Sequence, residues 1–171
     1  MPTVIIDPGH GGMDPGAVYK GRQEKDDNLR LALAVGELLS QNGVDVLYTR
    51  TDDVYDSPYR KAMIANESGA EIFVRIHANS SNDPSVNGAM FYAPSSANSY
   101  LSADVISASN TLASTMLSFY CSTTGLANKG VLQDDNMTGI NWCTIPVTIV
   151  EMGFMSNPCL LYTSDAADDK A

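Results

Sequence analysis

Residues 144–154 read TIPVTIVEMGF. Apart from one carboxylate, Glu151, the run is apolar on both strand faces, the pattern of a strand in a sheet covered on both sides. The segments before it alternate between β-branched runs and helical spacings. TVII, closed by Pro and Gly, reads as a buried strand followed by a loop. In EKDDNLRLALAVGELLSQNG, Leu29, Leu33, Gly36 and Leu39 or Ser40 are spaced as on a helix, with acids in the first turn and Gly43 as a stop. VDVLYTR is a second strand. In SPYRKAMIANESGA, Ser57 suits an N-cap, Pro58 the first helical position and Gly69 a stop. EIFVRIHANS and NGAMFYAP give a third and a fourth strand. From Tyr100, the positions Leu101, Val105, Ala108, Leu112, Met116 and Phe119 mark a long amphipathic helix. Strands alternating with helices predict an α/β fold with a mainly parallel central sheet.

A chain of 171 residues, 44% hydrophobic and 18% charged, suffices for one globular domain with a sizeable core. The net charge of -10 makes a nucleic-acid backbone a poor partner. No apolar run approaches the ~18 residues of a membrane-spanning helix. Met1 leads almost directly into the first strand, without a basic region or a small-residue cleavage site, so either a signal was trimmed or export uses another route. Cys121, Cys143 and Cys159 show no metal-type spacing, and no disulfide framework is expected.

In an open α/β sheet, ligands bind outside the carboxyl ends of the strands. His10 follows the strand TVII, His77 follows EIFVRI and Glu151 ends TIPVTIV, so all three belong at that edge. The chain has only two histidines, and both fall there. Glu24 stands at the start of the first helix, near the same edge. Two imidazoles, one carboxylate and an open position make a catalytic zinc site, and a second carboxylate is then free for proton transfer. Taken singly, each histidine is more often an ordinary loop residue, and Glu24 a carboxylate favoured by the helix dipole. Glu151 differs, because a carboxylate in an apolar strand is costly to desolvate without a purpose. The glycines of PGHGG lack the lysine of a phosphate loop.

IIDPGHGGMDPGA, EKDDNL, LYTRTDD, FVRIHANSS and VEMGFMSNP together resemble the successive motifs of zinc-dependent N-acetylmuramoyl-L-alanine amidases of the amidase-3 family. The resemblance spans residues 3–158. It implies a twisted, mostly parallel sheet of about six strands flanked by helices on both faces. It implies one zinc per chain on His10, Glu24 and His77, with Glu151 as the catalytic glutamate. Asp7, Arg75 and Asn79 adjoin these positions and are candidates for substrate contact or for supporting the ligands. Asp7 would accept a hydrogen bond from the loop or from an imidazole. Arg75 replaces a small residue of many relatives and would help an oxyanion if it points inward. The implied substrate is peptidoglycan, cut between the lactyl group of N-acetylmuramic acid and L-alanine, outside the cytoplasm or in phage lysis, by a monomer. A non-catalytic wall-binding module and a peptidase acting within the stem peptide are the alternatives; both ligand histidines and Glu151 argue against the first.

Residues 159–169, CLLYTSDAADD, match the translation of a transposase adapter used in sequencing libraries. The expectation is therefore a catalytic domain over residues 1–158 and a non-native tail over 159–171, in place of the helix that follows SNP in relatives.

Overall fold

The computed structural model describes residues 1–158. The elements in chain order are β1 (Thr3–Pro8), β2 (Val18–Tyr19), β3 (Arg22–Gln23), α1 (Glu24–Gln41), β4 (Asp45–Tyr48), α2 (Pro58–Glu67), β5 (Ile72–Asn79), β6 (Ala89–Ala93), α3 (Ala103–Thr124), β7 (Asn128–Gln133), α4 (Thr138–Asn141) and β8 (Val147–Phe154). Six strands form one sheet in the order β4-β1-β5-β8-β6-β7, and β2 pairs with β3 in a separate hairpin. β4, β1, β5 and β8 run parallel; β6 runs against β8, and β7 runs with β6. The mostly parallel α/β sheet expected from the sequence is what the chain forms.

Alternation along β1 divides the core. Val4 and Ile6 face α1 and α3, together with Val74, Ile76, Val150, Ala32, Ala113 and Leu117. Ile5 faces α2 and α4, with Phe73, Val147, Ile149, Ala62, Ala65 and Ile140. Both faces are thus apolar and both are covered, as the unbroken run in β8 requires. Each large side chain buried this way contributes about 1.5–3 kcal/mol.

The helices differ from the expected stripes by a small rotation. α1 buries Glu24, Asn28, Ala32 and Gly36, while Leu33 is 38% exposed. α3 buries Ser109, Ala113 and Leu117, and Phe119 is 71% exposed. In both, small residues meet the sheet so that the helix lies close, and the larger apolar residues pack from the flanks. Capping is as the sequence predicts for α2, where the Ser57 side chain accepts from the Arg60 N–H at 3.2 Å and Pro58 opens the helix. Strand β7 was not legible: NKGVLQ is a polar edge segment interrupted by Gly130. Its partner β6 and the hairpin β2–β3 complete the architecture. The expectations for the tail and for a missing terminal helix lie outside the described residues.

Candidate metal centre

Parallel strands β1, β5 and β8 end at one edge of the sheet, and α1 begins there. Beyond β1 the chain turns through Gly9 and His10, and His10 takes a left-handed conformation at φ 60. Histidine tolerates that region better than most non-glycine residues, and such a conformation persists only where its surroundings hold it. The holding is visible. Gly9 N–H donates to the Ile76 carbonyl at 2.8 Å, and the buried Lys61 ammonium donates to the carbonyls of Pro8 and His10 at 2.8 and 3.1 Å. Arg50 donates to the carbonyls of Pro8 and Gly9, both at 3.0 Å. The loop carbonyls are thereby satisfied from beneath, and the imidazole projects outward.

His10, Glu24 and His77 converge, with one donor atom from each lying within 4.8 Å of the others. The Glu24 carboxylate is central and only 3% exposed. Its Oε2 lies 3.1 Å from His10 Nε2, and its Oε1 lies 3.2 Å from His77 Nδ1. Oε2 also accepts from the Ala17 N–H at 2.9 Å, and Oε1 from the Ala78 N–H at 3.0 Å and Asn28 Nδ2 at 3.1 Å. Burial pushes this carboxyl up, but the bonds from His10, His77 and Ala17 outweigh burial and hold it well below the usual range. For His10, burial is outweighed by Glu24 and Asp14, which raise its pKa; for His77, burial prevails and lowers it. The two rings meet edge to face with centroids 4.9 Å apart.

This donor set fits a divalent cation. Ligands placed 2.0–2.2 Å from a tetrahedral ion stand about 3.3–3.6 Å from one another, close to the imidazole–carboxylate separations found here. The glycines make room for the side chains of this cluster. A Cβ on Gly9 would lie 2.4 Å from His77 Cε1, and one on Gly16 would lie 2.5 Å from both Glu24 Oε2 and His10 Cδ2.

Glu151 stands beside the cluster on β8, in register with His77 on β5 and Met90 on β6. Its Oε2 is buried without a hydrogen-bond partner. Burial and the Glu24 charge push this carboxyl up to about 8, against the weaker opposing effect of His10. A buried carboxylate oxygen with no partner is rare in a folded chain and marks a position reserved for something else.

Asp7, Arg75 and Asn79 sit elsewhere in this arrangement. Asp7 is fully buried and accepts from Thr49 Oγ1 at 2.6 Å; it pairs with Lys61 and Arg75, each at 2.8 Å. It touches neither imidazole. Arg75 is turned toward Asp7, Phe73 and Gly139, so the inward orientation on which an oxyanion role depends is not present. The Asn79 side chain accepts from the Ser80 N–H at 2.8 Å, and its carbonyl accepts from Met155 N–H. Besides Glu24, the carboxylate that meets an imidazole is Asp14, 2.8 Å from His10 Nδ1. Sequence reasoning missed Asp14, Asn28, Arg50 and Lys61. Two carried a signal: Asp14 lies four residues beyond His10, and Asn28 lies one helical turn beyond Glu24.

Residues 4–161 match the family described as N-acetylmuramoyl-L-alanine amidase. The chain is 35% identical over 157 residues to the sporulation-specific N-acetylmuramoyl-L-alanine amidase of Bacillus subtilis, covering 91% of this chain and 57% of that protein. It is 30% identical to N-acetylmuramoyl-L-alanine amidase LytC of the same organism, with 91% of this chain and 30% of LytC covered. Among solved structures, the N-acetylmuramoyl-L-alanine amidase from Clostridium difficile 630 superposes with a TM-score of 0.85 at 31% identity, over 96% of this chain and 86% of that one. The catalytic domain of CwlV from Bacillus (Paenibacillus) polymyxa gives a TM-score of 0.75 at 33% identity, over 92% and 83%.

Proposed function

The chain belongs to the N-acetylmuramoyl-L-alanine amidase family, and from that premise we propose that it is a zinc-dependent hydrolase of the amide between the lactyl group of N-acetylmuramic acid and L-alanine. The observation that carries this reading is the unpartnered Oε2 of Glu151, in register with His77 and beside a His–Glu–His cluster.

His10, Glu24 and His77 would hold one zinc, which would supply Lewis acidity toward water and the scissile carbonyl. Asp14 accepts from His10 Nδ1–H and so would leave Nε2 free to donate to the ion. Asn28 and the Ala78 N–H fix Glu24 Oε1. Glu151 takes a proton from the attacking water at its unpartnered oxygen and delivers it to the leaving amine of L-alanine. The domain acts on peptidoglycan outside the cytoplasm or in a lysis system, and among the described residues no helix is long and apolar enough to cross a membrane.

Two measurements test the proposal. Digestion of purified peptidoglycan should release intact stem peptides with a new L-alanine amino terminus; products cut inside the stem peptide would assign a peptidase instead. Elemental analysis should find one zinc per chain, lost in both His10→Ala and His77→Ala. Full zinc in both variants would move the ligands elsewhere.

A further inference from the structure

The loop that carries His10 is also held from its outer side. Gly12 takes a left-handed conformation at φ 57, and a Cβ there would lie 2.8 Å from the Tyr55 nitrogen, so the position requires glycine. Its N–H donates to Asp53 Oδ1 at 2.7 Å, and its carbonyl accepts from the Lys25 ammonium at 2.9 Å. An ion pair between Lys25 Nζ and Asp53 Oδ2 at 2.6 Å closes the circle. Three segments meet in it: the first turn of α1, the loop after β1 and the segment after β4.

Lys25 directly follows Glu24. One helical step of about 100° separates the two side chains, so that one enters the His–Glu–His cluster and the other reaches the loop. The Lys25 backbone is tied as well: its N–H donates to the Pro15 carbonyl at 3.1 Å, and its carbonyl accepts from Arg50 at 2.8 Å. Its side chain is 12% exposed and that of Asp53 51%. A pair with one partner in solvent adds little to stability, so its effect lies in the position of what it holds.

What it holds is a tight turn. Gly11 and Asp14 exchange both backbone hydrogen bonds, at 3.0 and 3.1 Å, with Gly12 between them. The far end of that turn returns Asp14 Oδ2 to His10 Nδ1. We propose that Lys25 and Asp53 form a positioning pair for the metal centre: by holding Gly12 at both of its backbone polar groups they fix the turn that brings Asp14 to His10, and so keep the His10 ring in the orientation and tautomer that present Nε2 beside Glu24. The assignment rests on the reading of His10 and Glu24 as zinc ligands.

Charge and position predict opposite signs. By charge alone, removing the Lys25 cation next to Glu24 strengthens the binding of a second cation there. By position, it weakens zinc binding. The test measures zinc affinity of the full chain by chelator competition, and the histidine ring-nitrogen resonances of the same chain, isotopically labelled and metal-free, at alkaline pH where the imidazoles are neutral. Lys25→Met should weaken zinc binding about two- to fivefold, the range of one exposed ion pair. It should also spread His10 from the Nδ1–H form over both tautomers, while the resonances of His77 stay in place. Asp53→Ala should do the same. In an Asp14→Ala background neither substitution should have a further effect, because changes along one route do not add. Stronger or unchanged zinc binding in Lys25→Met, an unchanged His10 tautomer in both variants, or a full additional loss in the Asp14→Ala background would each overturn the proposal. A lowered melting temperature with neither change would do so too, leaving the pair a structural contact. A parent chain that takes up no zinc overturns the zinc reading, and the tautomer measurement alone then decides the role of the pair.

Discussion

Glu151 and His77 stand opposite one another in the register that joins β8 to β5. The proposed proton carrier and a proposed metal ligand are thus placed by a parallel hydrogen-bonded ladder in the middle of the sheet. Slipping that ladder by one residue would turn either side chain to the other face. The loop carrying His10 has no such ladder. It relies on Lys61 and Arg50 gripping its carbonyls from below. One half of the site is fixed by strand register and the other by buried cations.

The register separates chemistry from binding. Glu151→Gln preserves shape and leaves His10, Glu24 and His77 in place. It should retain zinc and peptidoglycan binding with an unchanged melting temperature, while turnover falls about 10²–10⁴-fold, the usual contribution of general acid–base catalysis. Single-turnover assays with the zinc content measured on the same sample decide it. Near-normal cleavage would place the proton carrier elsewhere.

Asp14 meets His10 Nδ1 at 2.8 Å through Oδ2, and its Oδ1 accepts from the Gly16 N–H at 3.1 Å. Asp14→Ala frees the imidazole to rotate and to exchange tautomers. Zinc affinity should drop about 10–100-fold, as for other groups that orient a ligand, with little change in the stability of the metal-free chain. Competition with a chromophoric chelator reads the affinity directly. A variant that binds zinc as tightly as the parent would mean that the Glu24 contact alone orients His10.

How much of this was legible follows from periodicity and position. His77 and Glu151 announce themselves because each interrupts or closes an apolar strand, and the strand-end rule then puts them together with His10. Glu24 was legible only as a helix-start carboxylate until the resemblance singled it out. Asp7 sits in β1 like a residue that should serve the adjacent histidine, yet it serves Lys61 and Arg75. Nothing in local sequence says that α2 will deliver a lysine beneath that loop; the contact spans 51 residues. The true faces of α1 and α3 were hidden because glycine, alanine, serine and asparagine make the close contacts, and hydropathy gives them little weight.

Gly9 tests packing separately from backbone freedom, since its φ lies outside the left-handed region that favours glycine. Gly9→Ala therefore acts through its Cβ, which would lie 2.4 Å from the His77 ring. The ring or the loop has to shift, an overpacking cost of about 1–3 kcal/mol. The variant should melt several degrees lower and bind zinc more weakly. If both are unchanged, the loop yields freely and His77 is not held by it.

Asp7 makes a pH-dependent contribution that lies apart from the His–Glu–His cluster. Burial pushes its carboxyl up, but Arg75 and Lys61, with the hydrogen bond from Thr49, outweigh burial and hold it at about 2 against an ordinary 3.8. A carboxyl whose pKa is lowered by folding stabilises the native state fully above its unfolded value, and that stabilisation disappears as pH falls through the folded value. The parent should therefore lose stability between about pH 4 and pH 2 in proportion to protonation of Asp7. In Asp7→Asn that component should be missing from the acid limb. At neutral pH the same variant leaves Lys61 and Arg75 buried without their counter-charge, a cost of about 3–5 kcal/mol, a large part of the 5–15 kcal/mol typical of a domain. Should Asp7→Asn fail to fold, the pair Asp7→Asn with Lys61→Met removes one orphaned cation and should recover part of the loss. Urea melts across the pH range measure both effects, and parallel acid limbs for the parent and a folded Asp7 variant would show that the cluster does not carry the acid sensitivity.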